Sequence, residues 1–265
     1  MTKIVTVVQT RMGSTRLPGK VLMPILDKPL IYRMMERLMR SKLIGTIVIA
    51  TTEDPSDDHI EDVCRHYSWN CFRGNENDLL DRHYKAAQSL DAEIVLKIPS
   101  DCPLIDSSII DKGISFFLNG DFDYVSNLHP ASYPDGNDVE IMSFNALETS
   151  WKEASRTMER EHTTPYIWEN PHKFKIANFT WESGFDYSMS HRFTIDYPED
   201  YDFIVRVFEE LYPQKTNFSL TDILQLLEEK PEIYNINKDY AGVNWYRNHL
   251  HELKTIDASK TKILS

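Results

Sequence analysis

Arg11, Arg16 and Lys20 put three cations into one short loop that also holds Gly13, Ser14, Thr15 and Gly19. Guanidinium and ammonium groups neutralise phosphate, hydroxyls and amides cradle its oxygens, and glycine lets the backbone approach closely. The set suits the phosphates of a nucleoside triphosphate, although a charged surface turn has the same composition. Farther along, the apolar run 94–98 ends in Pro99-Ser100-Asp101-Cys102-Pro103. A carboxylate at the carboxyl end of a central strand, facing a phosphate-binding loop, can hold a divalent cation against a triphosphate, and Mg²⁺ is the ion expected. Asp101 also reads as a turn residue or as a cap for the helix that follows. Asp106 is better placed for the capping role.

These groups need a scaffold. Residues 5–8 are a β-branched run of the kind found in strands buried on both faces, and the cationic loop follows directly. Apolar spacing predicts a helix over 29–40 with proline at its start, a strand over 46–51, and a helix over 56–66 with Ser56, Asp57 and Asp58 as candidate caps. A further helix is expected over 201–211, with Glu199 and Asp200 as first-turn acids. Alternating strands and helices give right-handed βαβ units, and hence an α/β, doubly wound, mostly parallel sheet with helices on both faces. The loop has neither the P-loop order nor the Gly-x-Gly-x-x-Gly of dinucleotide sites.

Arg11-x-x-Ser14-Thr15-Arg16-Leu17-Pro18-Gly19-Lys20 resembles the signature loop of the cytidylyltransferases. Ser100-Asp101-Cys102-Pro103-Leu104-Ile105 resembles their Gly-Asp-x-Pro-Leu-Ile, with serine in place of glycine. His191 to Asp200 resembles their Arg-x-Thr-x-Asp-x-Pro-Glu-Asp segment. With Arg73-Gly74 and Asp78-Leu79-Leu80-Asp81-Arg82, the ordered motifs mark a resemblance over nearly the whole chain to the SpsF-type branch of that family. The resemblance implies a Rossmann-like nucleotide-diphospho-sugar transferase fold, one domain over 1–265, with a small antiparallel extension. It also implies that Gln9, Arg11, Gly13, Ser14, Thr15, Arg16, Lys20, Arg73, Arg82 and Ser100 bind nucleotide. Asp78 and Arg82, four residues apart, equally suit an ion pair on one helix.

By the same resemblance Asp196 shares the metal with Asp101, and Arg16, Lys20, Asp101 and Asp196 form the catalytic set. Acceptor binding falls to Asn127, Tyr133, Asp138, Glu140, Glu161, His162 and Arg192. Each has a structural reading too: Pro134-Asp135-Gly136 makes a turn, Glu161-His162 can belong to a helix, and a lone histidine often satisfies a core hydrogen bond. The implied reaction transfers CMP from CTP to an acidic sugar or phosphorylated small acceptor in surface glycan biosynthesis and releases pyrophosphate. A transferase using another nucleotide and a silent nucleotide-sugar binding protein are the alternatives.

The formal charge of -12 over 265 residues argues against nucleic acid or an acidic membrane as partner, and makes the loop a local positive focus. Three cysteines, Cys64, Cys71 and Cys102, show no Cys-x-x-Cys pair, no His/Cys spacing fits a metal site, and no leader pattern precedes the first strand. A cytoplasmic protein with free thiols is the expectation. In the related enzymes the counterpart of 170–192 extends outward and forms a dimer, so a homodimer is expected, and 257–265 reads as a flexible tail.

Overall fold

The computed structural model describes residues 2–263. In chain order the elements are β1 (Ile4–Gln9), β2 (Pro24–Ile25), β3 (Lys28–Pro29), α1 (Leu30–Leu38), β4 (Thr46–Thr52), α2 (Asp58–Tyr67), β5 (Asn70–Gly74), α3 (Leu79–Ser89), β6 (Ile94–Pro99) and α4 (Ser107–Leu118). There follow β7 (Tyr124–Ser126), β8 (Glu140–Ser143), α5 (Phe144–Glu153), α6 (Thr157–His162), α7 (Pro165–Trp168), β9 (Ile176–Asn178), α8 (Pro198–Leu211), α9 (Leu220–Glu229) and α10 (Pro231–Tyr234). Seven strands form one sheet in the order β5-β4-β1-β6-β8-β7-β9, and only β8 runs against its neighbours. The doubly wound, mostly parallel sheet expected from the sequence is the fold found.

β1 is the central strand. Val8 belongs to a core shared with Leu30 and Met34 of α1, Ile110 of α4 and Phe203 of α8. Val5 and Val7 belong to the opposite core, with Leu80 of α3, Leu147 of α5 and Ile167 of α7. Successive strand residues face opposite sides, so covering both faces demands an unbroken apolar run where a half-exposed strand would alternate. The chain leaves β1 for β4 and β5 on one side, and β6 then returns to the other side of β1. The loops after β1 and β6 therefore diverge and open a crevice at the carboxyl edge, with Gln9 in register with Pro99.

Several boundaries and roles differ from the sequence expectation. The helix expected over 56–66 starts at Asp58, because residues 55–57 form a 3-10 turn capped by Asp54, whose carboxylate accepts from the Ser56 amide at 2.8 Å. Asp57 is no cap. Its buried carboxylate accepts from the Met12 amide at 2.7 Å and from the Thr51 hydroxyl at 2.8 Å, tying the cationic loop to the end of β4. Asp106 does cap α4, accepting from the Ser108 amide at 2.8 Å.

The antiparallel ribbon is β2–β3, far in sequence from residues 170–192. That segment instead adds β9 to the main sheet in parallel with β7, and the chain beyond folds back where the Tyr187 amide reaches the Ser132 carbonyl at 2.9 Å. β9 is the edge strand of the sheet, with β7 on its one paired side. The expected tail is also held over its described part. Residues 258–260 form a 3-10 turn and the Lys262 amide donates to Gly242 O at 2.7 Å, while 264–265 lie outside the described residues.

His83 on α3 is wholly buried, with Nδ1 2.9 Å from Leu79 O and no partner for Nε2. Burial pushes its pKa down to about 3. As pH falls below the ordinary imidazole range of about 6.5 the unfolded chain takes up this proton first, so stability declines from there toward pH 3. His83→Gln should flatten the dependence by about 1.4 kcal/mol per pH unit between about pH 6 and pH 4. Urea unfolding at several pH values measures it, and equal slopes for the two proteins would refute the assignment.

Candidate active site

At the switch point between β1 and β6, three parts of the chain meet. Lys20 follows Gly19, which takes φ +72°, a backbone conformation glycine adopts without strain. Its Nζ lies 3.0 Å from Asp101 Oδ2 and 3.2 Å from Asp196 Oδ1, and donates to the Ile195 carbonyl. The 101 and 194–196 segments are stitched together by their backbones, the Ile195 amide donating to Asp101 O at 2.9 Å. Arg16 closes on Asp196 Oδ1 at 2.5 Å, and its guanidinium stands 5.6 Å from the Tyr197 ring centre. All four residues expected to be catalytic thus converge, although Lys20 and Asp196 are separated by more than half the chain.

Burial works against the Lys20 ammonium, but Asp101 and Asp196 outweigh it and raise its pKa above the ordinary lysine value. Asp196 feels the converse. Burial alone would raise its pKa, yet Lys20, Arg16 and Arg192 bring it down to about 2. Asp196 therefore stays ionised beside the cation. Hard oxygen donors converging on a position already filled by a positive charge fit a divalent cation.

Arg192 lies among structural carboxylates, one of the two placements open to it. It is fully enclosed, with Nε 2.9 Å from Asp200 Oδ1, Nη1 3.1 Å from Asp135 Oδ2 and Nη2 2.9 Å from Asp196 Oδ2. Three carboxylates and the Val243 carbonyl occupy four of its five N–H donors, so it positions Asp196. Asp200, one of the first-turn acids of α8, likewise accepts from the Asp196 amide at 2.9 Å. Asp135 reaches this cluster because residue 136 is glycine. At φ +99° a Cβ there would stand 2.6 Å from the Phe193 carbonyl carbon.

Asp101, Arg192 and Asp196 of this cluster line a cavity of about 850 Å³. Gln9, expected at the nucleotide, and Asn127, Tyr133, Asp138, Glu140 and His162, expected at the acceptor, line it together. The buried Asn127 amide is spent on the loop that follows, donating to Asn137 O at 2.7 Å and accepting from the Val139 amide at 2.9 Å. Glu140 is paired with Lys97 and accepts from Tyr124 OH at 2.6 Å. Tyr133 OH receives Lys112 Nζ at 3.0 Å. Asp138 keeps a freer carboxyl, which burial and the neighbouring Glu140 push up to about 6. His162 stacks on Trp245 with ring centres 3.8 Å apart, and burial pushes its pKa down to about 3.

Other expected residues lie elsewhere. Glu161 is exposed and outside the cavity lining, although the fold brings it, His162 and His249 within 4.8 Å, a grouping no sequence spacing announced. Arg73 turns outward onto Asp58 at 2.5 Å and Glu61 at 2.9 Å. Asp78 pairs with Arg160 at 2.5 Å, so the Asp78–Arg82 helix pair expected from spacing does not form. Arg82 instead is buried near the cationic loop, its Nε unpartnered and its pKa lowered to about 10, chiefly by burial and then by Arg11. Arg11, Gly13 and Thr15 stay exposed, Ser14 is half-buried, and Ser100 is buried with its amide on Gln9 O at 3.2 Å. Reading the sequence missed Lys97, His129, Asp135, Trp168, Trp245 and Arg247, which also line the cavity. Only the aromatic density of 244–246 could have signalled one of them.

The cytidylyltransferase family model matches residues 5–237, and the chain belongs to that family. Within it the chain is of the SpsF type. It is 30% identical over 239 residues to the spore coat polysaccharide biosynthesis protein SpsF of Bacillus subtilis, covering 88% of this chain and 97% of that one. A cytidylyltransferase structure from Leptospira borgpetersenii superposes with a TM-score of 0.83 at 34% identity, over 88% of this chain and 97% of the other. A CMP:2-keto-3-deoxy-manno-octonic acid synthetase complexed with CTP shares the fold, with a TM-score of 0.62 at 16% identity over 79% of this chain and all of its own. No helix among the described residues is long and apolar enough to cross a membrane.

Proposed function

We propose that the protein transfers the cytidylyl group of CTP to a small acidic or phosphorylated acceptor and releases pyrophosphate. The observation that carries this reading is Lys20 held between Asp101 and Asp196 where the loops after β1 and β6 diverge. An acceptor oxygen forms a bond to the α-phosphorus, the bond from that phosphorus to the bridging oxygen breaks, and the proton of an attacking hydroxyl passes to solvent or a carboxylate. Lys20 and Arg16 offset the charge gathering on the departing pyrophosphate. Arg11, with the amides and hydroxyls of Gly13, Ser14 and Thr15, cradles the phosphates, and Arg82 and Gln9 border the nucleotide. Ser100 shapes the turn that presents Asp101. Arg73, tied to Asp58 and Glu61, acts from outside the crevice.

Asp101 and Asp196 would hold Mg²⁺, which when bound screens the triphosphate and polarises the reacting phosphoryl group. Asp138 and Tyr133 face the acceptor side of the cavity. The same reading includes a homodimer, supported by exposed Phe185 and Met189 on the folded-back segment.

Pyrophosphate release with CTP, UTP, GTP and ATP, each with Mg²⁺ and pooled sugar acids and sugar phosphates, tests the proposal. Release with CTP alone is expected. Asp101→Asn should weaken the metal dependence of CTP binding by about tenfold or more, since half of the carboxylate pair is lost. Unchanged metal-dependent CTP binding in that variant would favour a silent binding protein.

A further inference from the structure

α6 stops at His162, where Thr163 turns the chain at φ +71° and the Thr164 amide donates to the His162 carbonyl at 2.9 Å. Glu161 and His162 are therefore the last residues of a helix end. His249 reaches them from the closing segment, which lies beyond residue 237, where the family match ends. That segment is already fastened to the other end of the same helix, because Arg156, the N-cap, donates from Nη1 to Glu252 O at 2.9 Å.

Glu161, His162 and His249 each present one ligand atom, and these atoms lie within 4.8 Å of one another. Two imidazole nitrogens with one carboxylate oxygen are a donor set of zinc and its neighbours, whereas magnesium and calcium prefer oxygen throughout. The surroundings of both rings suit ligation. His162 lays its face on Trp245, with ring centres 3.8 Å apart, so its nitrogens remain on the free rim. His249 meets it edge to face at 5.5 Å between centres. Its Nδ1 stands 2.9 Å from Glu252 Oε1, the kind of carboxylate partner that fixes the tautomer of a metal-bound imidazole. Donors around a tetrahedral ion with bonds of about 2.0–2.1 Å stand about 3.4 Å apart. Glu161 is exposed, so its side chain can swing to close the remaining gap.

We propose that Glu161, His162 and His249 bind one divalent transition-metal ion of the zinc type, which clips the closing segment to α6. Three protein ligands leave a fourth position for water. The site shares no ligand with Asp101 and Asp196 and stands independently of the cytidylyl-transfer reading. Its effect is mechanical: His162 and Trp245 both line the cavity, and the ion fixes this part of its wall to the helix.

Calorimetric titration of the tag-free full chain with Zn²⁺ and Mg²⁺, after dialysis against a chelator, tests the assignment, with Co²⁺ as a light-absorbing probe of the same ligands. Zn²⁺ should bind with a Kd of about 10 μM or tighter. His249→Gln and Glu161→Ala should each weaken it about tenfold or more, and Glu252→Gln should do the same through the tautomer it fixes. Asp101→Asn and Cys71→Ser should bind Zn²⁺ as the wild type does, and Mg²⁺ should not displace it. Zn²⁺ at about 100 times its Kd should raise the unfolding midpoint by about 5 °C in the wild type and not in His249→Gln. Because Glu161 is exposed, Glu161→Ala keeps the test decisive if a histidine variant fails to fold. Zn²⁺ binding weaker than about 1 mM, binding unchanged in both His249→Gln and Glu161→Ala, or an equal loss in Asp101→Asn or Cys71→Ser would each overturn the proposal.

Discussion

Lys20→Ala is expected to lower kcat by about 10²-fold or more, with a smaller change in KM for CTP and an unchanged far-UV circular dichroism spectrum. The magnitude follows from position. The side chain is 9% exposed, so its charge acts through little intervening water, whereas Arg16 is 41% exposed and is screened. A preorganised cation placed where negative charge develops stabilises the transition state more than the ground state, and its removal is felt in kcat. Lys20 also bonds the Ile195 carbonyl, so a purely structural role must be separable. If Lys20 only braced residues 195–196, its loss would depress the unfolding midpoint and CTP affinity together. We expect the midpoint to move little, because the Asp101 and Asp196 side chains are 28% and 20% exposed and water or a metal ion can take the vacated place. Lys20→Arg should not restore turnover, since a planar fork does not fit a position shaped for a point charge. Turnover within twofold of wild type in Lys20→Ala would falsify the role.

How much of this was legible in the residues depended on whether a signal was local. The run 5–8 announced a strand covered on both faces, because burial on two sides leaves an unbroken apolar string. The cationic loop and the Pro-rich turn at Asp101 were visible because the chemistry of a strand end is compressed into a few neighbouring residues. Arg192 shows the limit. Beside Asp196 and Asp200 in the sequence it suited either substrate or structural carboxylates, and only the approach of Asp135 across the Gly136 turn shows how fully its guanidinium is surrounded. The Asp78–Arg82 pair that helix spacing allowed is replaced for a similar reason, because Arg160 gives Asp78 a partner from far along the chain. Trp245 and Arg247 lay outside any motif. They reach the cavity lining only because the closing segment folds back to it.

Arg192→Met should cost about 3–5 kcal/mol of stability, measured by urea unfolding at neutral pH, and should abolish turnover. Burial works against the Arg192 charge, but Asp135 and Asp200 more than offset it and hold its pKa above the usual arginine value. Methionine conserves much of the volume, so the loss would report the stranded carboxylates and not a cavity. Asp200 is wholly buried and would face Asp135 and Asp196 without the guanidinium that bonds all three. The pH dependence supplies a second readout. Asp196 has its pKa lowered to about 2 in the folded protein, so its stabilising contribution is present above about pH 4 and is lost as pH falls through about 2. In Arg192→Met that loss should begin at higher pH, because one of the cations depressing Asp196 has gone. Arg192→Lys should rescue little, as one ammonium cannot span Asp135, Asp196, Asp200 and the Val243 carbonyl. A destabilisation below about 1 kcal/mol would mean that the carboxylates relax toward solvent or protonate, and that Asp196 is held by Lys20 and Arg16 alone.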